Sequence, residues 1–209
     1  MSHTSGARQA QKQQTRRALL DAALHLLEGQ NLSSLGVREV TREAGMSPAG
    51  FYRHFRDMAD LGVTLVEESL ASLHGMVLAV LAGPDEAEEL IDRAVDVVAG
   101  HVREHRAHIR FLARERHGGV RPVREAIGAE LARFADEVAA ALADQPASAG
   151  WSAEDLLMLA ELYVEHLVST ATAFLDVPED RPELDLRISR VARRQLRLIS
   201  VGRRHWRDS

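Results

Sequence analysis

Residues 36–61 read G-V-R-E-V-T-R-E-A-G-M-S-P-A-G-F-Y-R-H-F-R-D-M-A-D-L, and this stretch decides the fold. Val37, Val40 and Ala44 recur at i, i+3 and i+7, a spacing that predicts one apolar face of a short helix. Gly45 follows as a stop signal, because glycine adopts the left-handed conformation at low cost. We therefore expect a helix of about two turns that ends at a glycine-containing turn.

A second short helix is predicted to begin directly after this turn. Ser47 is a favourable N-cap, and Pro48 stands at the first helical position, where its missing N–H group costs nothing. Met46 and Phe51 have the spacing of a hydrophobic staple around that cap. Helix, tight turn and helix together form the arrangement of a helix-turn-helix.

The second helix is predicted to present a small, basic face to solvent. Phe51 and Phe55 are four residues apart and face the core, which leaves the residues between them and before them on the outside. Small residues at the leading end, arginines for guanine edges and donors for phosphates suit docking in the major groove of DNA. The alternative is a solvated helical hairpin with incidental charge. The residues that we expect to contact DNA are Arg38, Ser47, Ala49, Gly50, Tyr52, Arg53, His54 and Arg56, with Lys12 and Arg16 from the first helix.

The segment V-R-E-V-T-R-E-A-G-M-S-P-A-G-F-Y-R-H-F-R-D-M resembles the DNA-binding signature of the tetracycline-repressor (TetR) family of bacterial regulators. Gly36 departs from that signature, which usually has Ser or Thr there, and glycine caps less well by a few tenths of a kcal/mol. The resemblance implies an all-α, nine-helix homodimer with an N-terminal three-helix DNA-binding domain and a larger ligand-binding and dimerisation domain. We place these domains at residues 1–56 and 57–209.

Helical periodicity without strand-like alternation extends over the rest of the chain, which also predicts an all-α fold. Residues 1–10 are polar, and we expect them to be disordered. The predicted helices beyond the helix-turn-helix cover 11–29, 57–82, 85–105, 107–117, 122–144, 152–176 and 183–205, with Asp57 and Asp85 as N-caps.

Charge is distributed unevenly along the chain. The net charge is −5, yet residues 1–56 carry eight Arg and Lys against four Asp and Glu, and the remainder carries 18 against 27. A basic N-terminal segment followed by an acidic remainder is suited to a protein that contacts DNA through its N-terminal part. There is no cysteine, no start that resembles a signal peptide and no apolar run long enough to span a bilayer, so we expect a cytoplasmic protein.

A search for catalytic and metal-binding motifs gives little support to the view that the protein is an enzyme. We find no nucleophile elbow, phosphate-binding loop or dinucleotide fingerprint, and we predict no catalytic residue and no cofactor. His101, His105 and His108 are spaced to share one helical face, and two histidines four apart can share a metal ion. We assign no metal to them, although the sequence leaves that question open.

A second segment, H-I-R-F-L-A-R-E-R-H-G-G-V-R-P-V-R-E-A-I at residues 108–127, resembles a narrower branch of the family. That branch is the FabR/DesT-type repressors of unsaturated fatty-acid synthesis, which sense the acyl chain of acyl-coenzyme A or acyl carrier protein. The resemblance implies a long-chain acyl effector.

An arginine-rich rim is also predicted, on the assumption of one continuous helix. Arg103, Arg106, Arg110 and Arg114 then fall within about 60° of one another, beside apolar residues. A cationic rim next to an apolar lining suits a phosphate-bearing head and an aliphatic tail, and the alternative is a solvated basic face. Aromatic residues make up only 4% of the chain, which favours an aliphatic pocket. The expected ligand-binding residues are Arg106, Arg110, Phe111, Arg114, Phe134 and Tyr163.

The last two helices carry more apolar residues than one packed layer needs, so we expect them to form the dimer interface. The residues assigned to it are Leu156, Leu159, Tyr163, Leu167, Ile188 and Val191. The arginines near the end of the chain, among them Arg193, Arg197 and Arg203, either pair with acidic residues of the body or are solvated.

The sequence thus predicts a dimeric, ligand-responsive repressor that binds a palindromic operator and regulates lipid metabolism in response to long-chain acyl-coenzyme A. Three alternatives remain: a repressor that senses another hydrophobic effector such as a drug or signalling lactone, an architectural DNA-binding protein without a ligand, and a helical binding protein or enzyme with a vestigial DNA-binding head. The operator, the chain length of the effector and the direction of its effect are not determined by the sequence.

Overall fold

A computed structural model describes residues 3–83, 87–178 and 180–205, and within these residues the fold is all-α, as predicted. Nine α-helices and two short 3₁₀ turns account for the regular structure of the described residues. The helices are α1 His3–Leu26, α2 Val37–Glu43, α3 Pro48–Phe51, α4 Met58–Leu81, α5 Ala87–Glu104, α6 Arg106–Glu115, α7 Arg121–Ala143, α8 Ala153–Leu175 and α9 Pro182–His205.

Most helix boundaries agree with the sequence prediction to within two residues. The Asp57 carboxylate accepts a hydrogen bond from the Asp60 amide at 2.8 Å, so it caps the start of α4 as expected. Ser152 caps α8 in the same way, through the Asp155 amide. Asp85, the predicted cap of α5, lies outside the described residues.

Two predictions about helix extent are wrong. Helix α1 begins at His3 rather than near Gln11. Residues 7–10, Ala-Arg-Gln-Ala, are good helix formers, and the segment contains no proline to stop propagation. The continuous helix assumed for the arginine rim is interrupted at His105, between α5 and α6. The helical-wheel projection that placed Arg103 and Arg114 on one face assumed a continuous helix, so it does not apply.

The chain divides into two compact units. The first unit comprises Met1–Glu68 and Arg110–Ile127, and the second comprises Ser69–Ile109 and Gly128–Ser209. Helices α4, α6 and α7 each contribute residues to both units. The domain boundary after Arg56, which separates the chain by function, stays a prediction.

The core of the first unit includes the two phenylalanines of the predicted helix-turn-helix. Phe51 and Phe55 are buried, with ring centroids 5.6 Å apart. Gly62 allows a close approach in this core, since a Cβ atom at that position would lie 2.5 Å from Leu32 and 2.7 Å from Val123. The first turn of α4 and the start of α7 can pack here only because residue 62 has no side chain.

The F-L-A-R-E-R-H-G-G motif is also part of the first unit, and its polar residues hold backbone groups. The buried Glu115 carboxylate accepts a hydrogen bond from the Leu32 amide at 2.9 Å. Arg114 donates to the carbonyl oxygens of Leu27 and Glu28, at 3.0 and 2.9 Å, just beyond the end of α1. These bonds satisfy backbone groups that the helix end leaves unpaired, so Arg114 and Glu115 stabilise this unit.

In the second unit, α5, α8 and α9 pack against one another. Buried aliphatic residues of α4, α7 and α8 form one core cluster, and Ile91, Val95, Ala192 and Leu196 form a second between α5 and α9. Arg193 and Arg197 of α9 pair with acidic residues of α5, which confirms the first of the two alternatives for these arginines.

Helix α4 is long and apolar enough to cross a membrane by length and composition alone. Its residues Leu61, Leu65, Val66, Leu70 and Val77 are buried inside the protein, as in the core helix of a globular domain. This burial accounts for its apolar composition.

Candidate functional site

The turn between α2 and α3 has the geometry that the sequence predicts. Gly45 has φ +66°, in the left-handed region, and the Met46 amide donates to the Thr41 carbonyl at 2.7 Å. At the start of α2, Glu39 accepts a hydrogen bond from the Gly36 amide at 2.9 Å, which partly compensates for the missing Ser or Thr at Gly36. This bond was not predicted, although a glutamate three residues after the cap is its sequence signal.

Ser47 occupies the N-cap position of α3, but its hydroxyl does not cap the helix in the described structure. Ser47 is exposed, so its hydroxyl is available to an external partner. Pro48 is at the first helical position, as predicted.

The exposed side of the helix-turn-helix carries arginines that have no acidic partner. Arg38, Arg42 and Arg53 are exposed, and none of the three forms a salt bridge within the described part of the chain. Tyr52 is 60% exposed beside them, and Ala49 is exposed as well. Three unpaired cations around a small, exposed helix start form a surface suited to an anionic partner.

Two residues expected on the outside of α3 are covered. Gly50 is buried beneath the side chains of Met46, Ser47 and Arg53. His54 is half-buried, because the chain tightens into a turn after Phe51 and draws its ring inward. Burial, and then the positive charges of Lys12, Arg53 and Arg16, lower the pKa of His54. His54 is thus neutral at neutral pH, and it offers one N–H donor rather than a positive charge.

The other residues predicted to contact DNA differ in the contacts that they make within the protein. Arg16 lies 5.2 Å from the centroid of the Phe55 ring and donates to Thr64 and Glu68 at 3.2 and 3.3 Å. Arg56 is exposed and pairs with Asp60 at 3.1 Å. Lys12 is exposed. Arg16 therefore contributes to the packing of the first unit, whatever contact it makes with DNA.

The predicted ligand-binding residues are divided between the two units, and their common role in ligand binding stays a prediction. Arg106 donates to the Leu175 carbonyl at 2.7 Å and so caps the end of α8, Arg110 is half-buried, and Phe111 is buried in the first unit. Phe134 is stacked on His74, with ring centroids 4.3 Å apart. The members of the predicted arginine rim lie on two helices, and Arg103, Arg106 and Arg114 bond to Asp185 or to backbone carbonyls.

Tyr163, the sixth of these residues, lines a cavity of the second unit. The cavity is partly open to solvent, and water-sized spheres can enter about 80 Å³ of it. Aliphatic side chains of α4, α5, α7, α8 and α9 form most of its wall, and Tyr163 is the only aromatic residue in it. The lining residues are Val77, Leu81, Leu90, Ile91, Ala94, Val138, Leu142, Gln145, Tyr163, Val164, Leu167, Leu196, Ser200 and Arg203.

One part of this cavity is polar, and sequence reasoning did not find it. Arg203 is 8% exposed and donates to the Gln145 side chain at 3.0 Å and to the Ser148 hydroxyl. Burial raises the pKa of Tyr163, whose hydroxyl bonds to Ser200, so this hydroxyl stays protonated and uncharged. Nothing in the sequence distinguishes Arg203 from the other arginines of α9, because only the fold buries it.

The predicted dimer residues divide into two groups. Leu156 and Leu159 belong to the core of the second unit, and Tyr163 and Leu167 pack against it. Val191 is exposed, and Ile188 is half-buried. The large apolar side chains that α8 and α9 expose are Met158, Leu162, Leu186, Val191, Leu198 and Val201.

The histidine cluster is present but does not resemble a metal site. His101 is buried, both of its ring nitrogens lack a hydrogen-bond partner, and its ring lies 4.5 Å from that of His105. Burial is the main reason that the pKa of His101 is lowered to about 4. Among the described residues, no group of three or more His, Cys, Asp or Glu side chains is arranged to hold a metal ion.

Known structures share the all-α fold described above. The chain superposes on the fatty acid degradation regulator FadR of Bacillus halodurans with a TM-score of 0.69 and 14% identity, covering 86% of this chain and 94% of that one. FadR of Bacillus subtilis in complex with stearoyl-CoA gives 0.69 and 14%, covering 86% and 96%. A complex of SmeT with triclosan gives 0.64 and 17%, covering 87% and 89%.

Residues 19–62 match the family described as bacterial regulatory proteins, tetR family. The match covers the end of α1, the helix-turn-helix and the start of α4, the same residues that form the basic surface described above. Members of this family are DNA-binding transcriptional regulators rather than enzymes. Residues 19–62 thus match the N-terminal domain of the tetR family of bacterial regulatory proteins, and the likeness of the chain to the solved structures shows its fold.

Proposed function

We propose that this regulator is a homodimeric repressor of lipid-metabolism genes, and that it binds a palindromic operator in a manner controlled by a long-chain acyl effector. The observation that carries the DNA-binding part is the cluster of exposed, unpaired arginines on the helix-turn-helix. The aliphatic cavity of the second unit supports the effector part. The protein acts in the cytoplasm, where its DNA lies.

On the DNA side, Arg53 reads a guanine edge and its neighbours position the helix. Arginine forms bidentate hydrogen bonds with guanine, and a base contact of this kind specifies sequence. Tyr52, Arg56 and Lys12 donate to phosphates, which fix the register without reading bases. Ser47 and Ala49 lie at the exposed start of α3, where their small side chains allow the backbone to approach the duplex.

The dimer forms through the apolar side chains that α8 and α9 expose. Six large apolar residues on two helices are more than scattered surface hydrophobics require. A twofold axis then presents two copies of α3 to half-sites one DNA turn apart. The interface involves Val191 and Ile188 from the predicted set, whereas Leu156 and Leu159 support it from the core.

Two observations favour a long acyl chain as the effector. The cavity wall is aliphatic, with Tyr163 as its one aromatic residue, so it suits a flexible chain better than a planar ring system. A structural relative, FadR of Bacillus subtilis, is solved with stearoyl-CoA. Acyl-coenzyme A is thus the first candidate. The complex of SmeT with triclosan keeps another hydrophobic effector as the second candidate.

The experiment measures affinity for an operator selected from random duplex DNA, by fluorescence anisotropy, with palmitoyl-CoA, oleoyl-CoA or free coenzyme A present. We expect either acyl thioester to change the affinity and free coenzyme A to leave it unchanged. Each buried methylene contributes up to about 0.8 kcal/mol, and the effect on DNA depends on how that energy differs between the DNA-competent state and other states. Three identical titrations would contradict the acyl effector, and failure to select any sequence would contradict operator binding.

A further inference from the structure

Arg203 is the single charged residue among those that line the cavity of the second unit. It lies on α9, and its side chain is almost fully buried. The walls around it are formed mainly by Leu, Val and Ile side chains. A full positive charge therefore sits at one part of an otherwise apolar cavity.

This charge has hydrogen-bond acceptors but no counter-charge. The guanidinium donates to the Gln145 and Ser148 side chains, which are both neutral, and its Nε has no partner. Within the described residues, no carboxylate forms a salt bridge with Arg203, although Arg193 and Arg197 of the same helix pair with Asp92. Burial of an unpaired charge is unfavourable, so buried cations normally have an anionic partner.

We propose that the cavity binds the anion of an unesterified long-chain fatty acid, with its carboxylate on Arg203 and its alkyl chain along the aliphatic wall. The Tyr163 and Ser200 side chains line the same cavity and supply hydroxyl groups near the head. This inference keeps the long acyl chain of the proposed function but replaces its thioester head group by a carboxylate. The effect of this ligand on DNA rests on the proposed function, but its binding does not.

The number of charges favours a carboxylate over the other acyl head groups. A planar guanidinium matches a carboxylate with two parallel hydrogen bonds, and one negative charge neutralises Arg203. Coenzyme A carries several phosphate charges, whereas Arg203 is the one cation among the described residues that line the cavity. A neutral alcohol or drug fills the apolar space but leaves the charge of Arg203 uncompensated.

The test is isothermal titration of the full-length protein at pH 8 with palmitate, hexadecanol and palmitoyl-CoA, each below its micellar concentration. The wild-type protein should bind palmitate about 10- to 100-fold more tightly than hexadecanol, the range expected for a charge-assisted hydrogen bond. Arg203→Met should weaken palmitate by a similar factor and leave hexadecanol unchanged. Arg203→Lys, which keeps the charge, should retain most of the preference for palmitate. Arg197→Met is the matched control on the same helix and should behave as wild type.

Equal affinity of the wild-type protein for palmitate and hexadecanol would overturn the carboxylate assignment, and this comparison needs no substitution. Palmitate binding unchanged in Arg203→Met would overturn the role of Arg203, and palmitoyl-CoA binding more tightly than palmitate would overturn the choice of the free acid. Because titration is done without DNA, palmitate binding by a protein that selects no operator would refute the proposed function and support this inference.

Discussion

The first and the second unit both contain arginines without an acidic partner, and the two environments give that fact opposite meanings. Arg38, Arg42 and Arg53 are exposed, so water solvates their charge and the missing partner costs little. Arg203 is buried, and no carboxylate among the described residues forms a salt bridge with it. An unpaired surface arginine is informative only through its neighbours in the helix-turn-helix, whereas a buried one points to a ligand by itself.

Two histidines, one in each unit, have a lowered pKa. His54 in the first unit is half-buried and lies near Lys12, Arg16 and Arg53, which add to the effect of burial in lowering its pKa. In the second unit, His101 is buried and lacks hydrogen-bond partners on both nitrogens, and burial is the largest cause of its lower pKa. Burial is thus the first cause of the lowered pKa in both units, and nearby basic side chains add to it in both.

The largest expected effect comes from His101. Its pKa is about 4 in the folded protein against 6.5 for an unperturbed histidine, so between these values the unfolded state binds a proton that the folded state does not. Stability should therefore fall as pH drops from about 6.5 to about 4, by about 3 kcal/mol for this one group, and the loss should level off below that. Urea unfolding at intervals of half a pH unit measures it.

Substitution separates His101 from the other histidines. His105, His108 and Glu104 also affect the charge of the ring, the first two by disfavouring protonation and the third by favouring it. His101→Leu should flatten the fall in stability between pH 6.5 and 4, whereas the exposed residue His117 replaced by Gln should leave it unchanged. If the two variants show the same pH profile, burial of His101 is not the cause.

A smaller effect is expected on operator affinity when Arg53, on the surface of the first unit, is replaced. Arg53→Ala should cost about 1–3 kcal/mol in operator affinity and relax the preference at one base pair in each half-site, because a bidentate guanine contact is lost. Anisotropy titrations with operators that differ at single positions measure both quantities. Arg121 is exposed in the same unit and paired with Glu125, so Arg121→Ala provides a matched control with little expected effect.

Equal weakening on all operator sequences would assign Arg53 to a phosphate instead of a base. That result would leave the exposed arginines as a surface for positioning and would move sequence reading to another residue of α3. A loss of thermal stability in Arg53→Ala is not expected, since the side chain has no partner within the described residues to lose.

Short-range sequence signals were sufficient to predict most of the helices in both units. Gly45 was identified as a left-handed stop and Pro48 as a helix start, and both assignments are confirmed because such residues act within a few positions of themselves. Asp57 as a cap is confirmed for the same reason. The helices that carry the cavity were likewise predicted from their apolar periodicity and their ends.

Features that helical periodicity does not encode were not predicted. Gly50 is covered by neighbouring side chains, and the break at His105 removes the wheel on which the arginine rim depended. The burial of Arg203 requires Gln145 and Ser148, which lie more than fifty residues away in the chain. Periodicity gives the face of one helix, but it does not give the partner that covers that face.

The smallest expected effect tests whether the basic start of α1 belongs to the DNA surface. Lys12 and Arg16 are one helical turn apart, but Arg16 bonds to Glu68 and packs on Phe55, whereas Lys12 is exposed. Lys12→Ala should therefore weaken every operator by the same small factor and lower the slope of log affinity against log salt by about 0.9, the value for one phosphate contact. Alanine retains the helix, so folding should not change. Titrations from 50 to 200 mM salt measure the slope, with Arg17→Ala, whose side chain pairs with Asp21 and Glu68, as the matched control. An unchanged slope in Lys12→Ala would make this lysine a solvated residue, and the DNA surface of the first unit would then begin at α2.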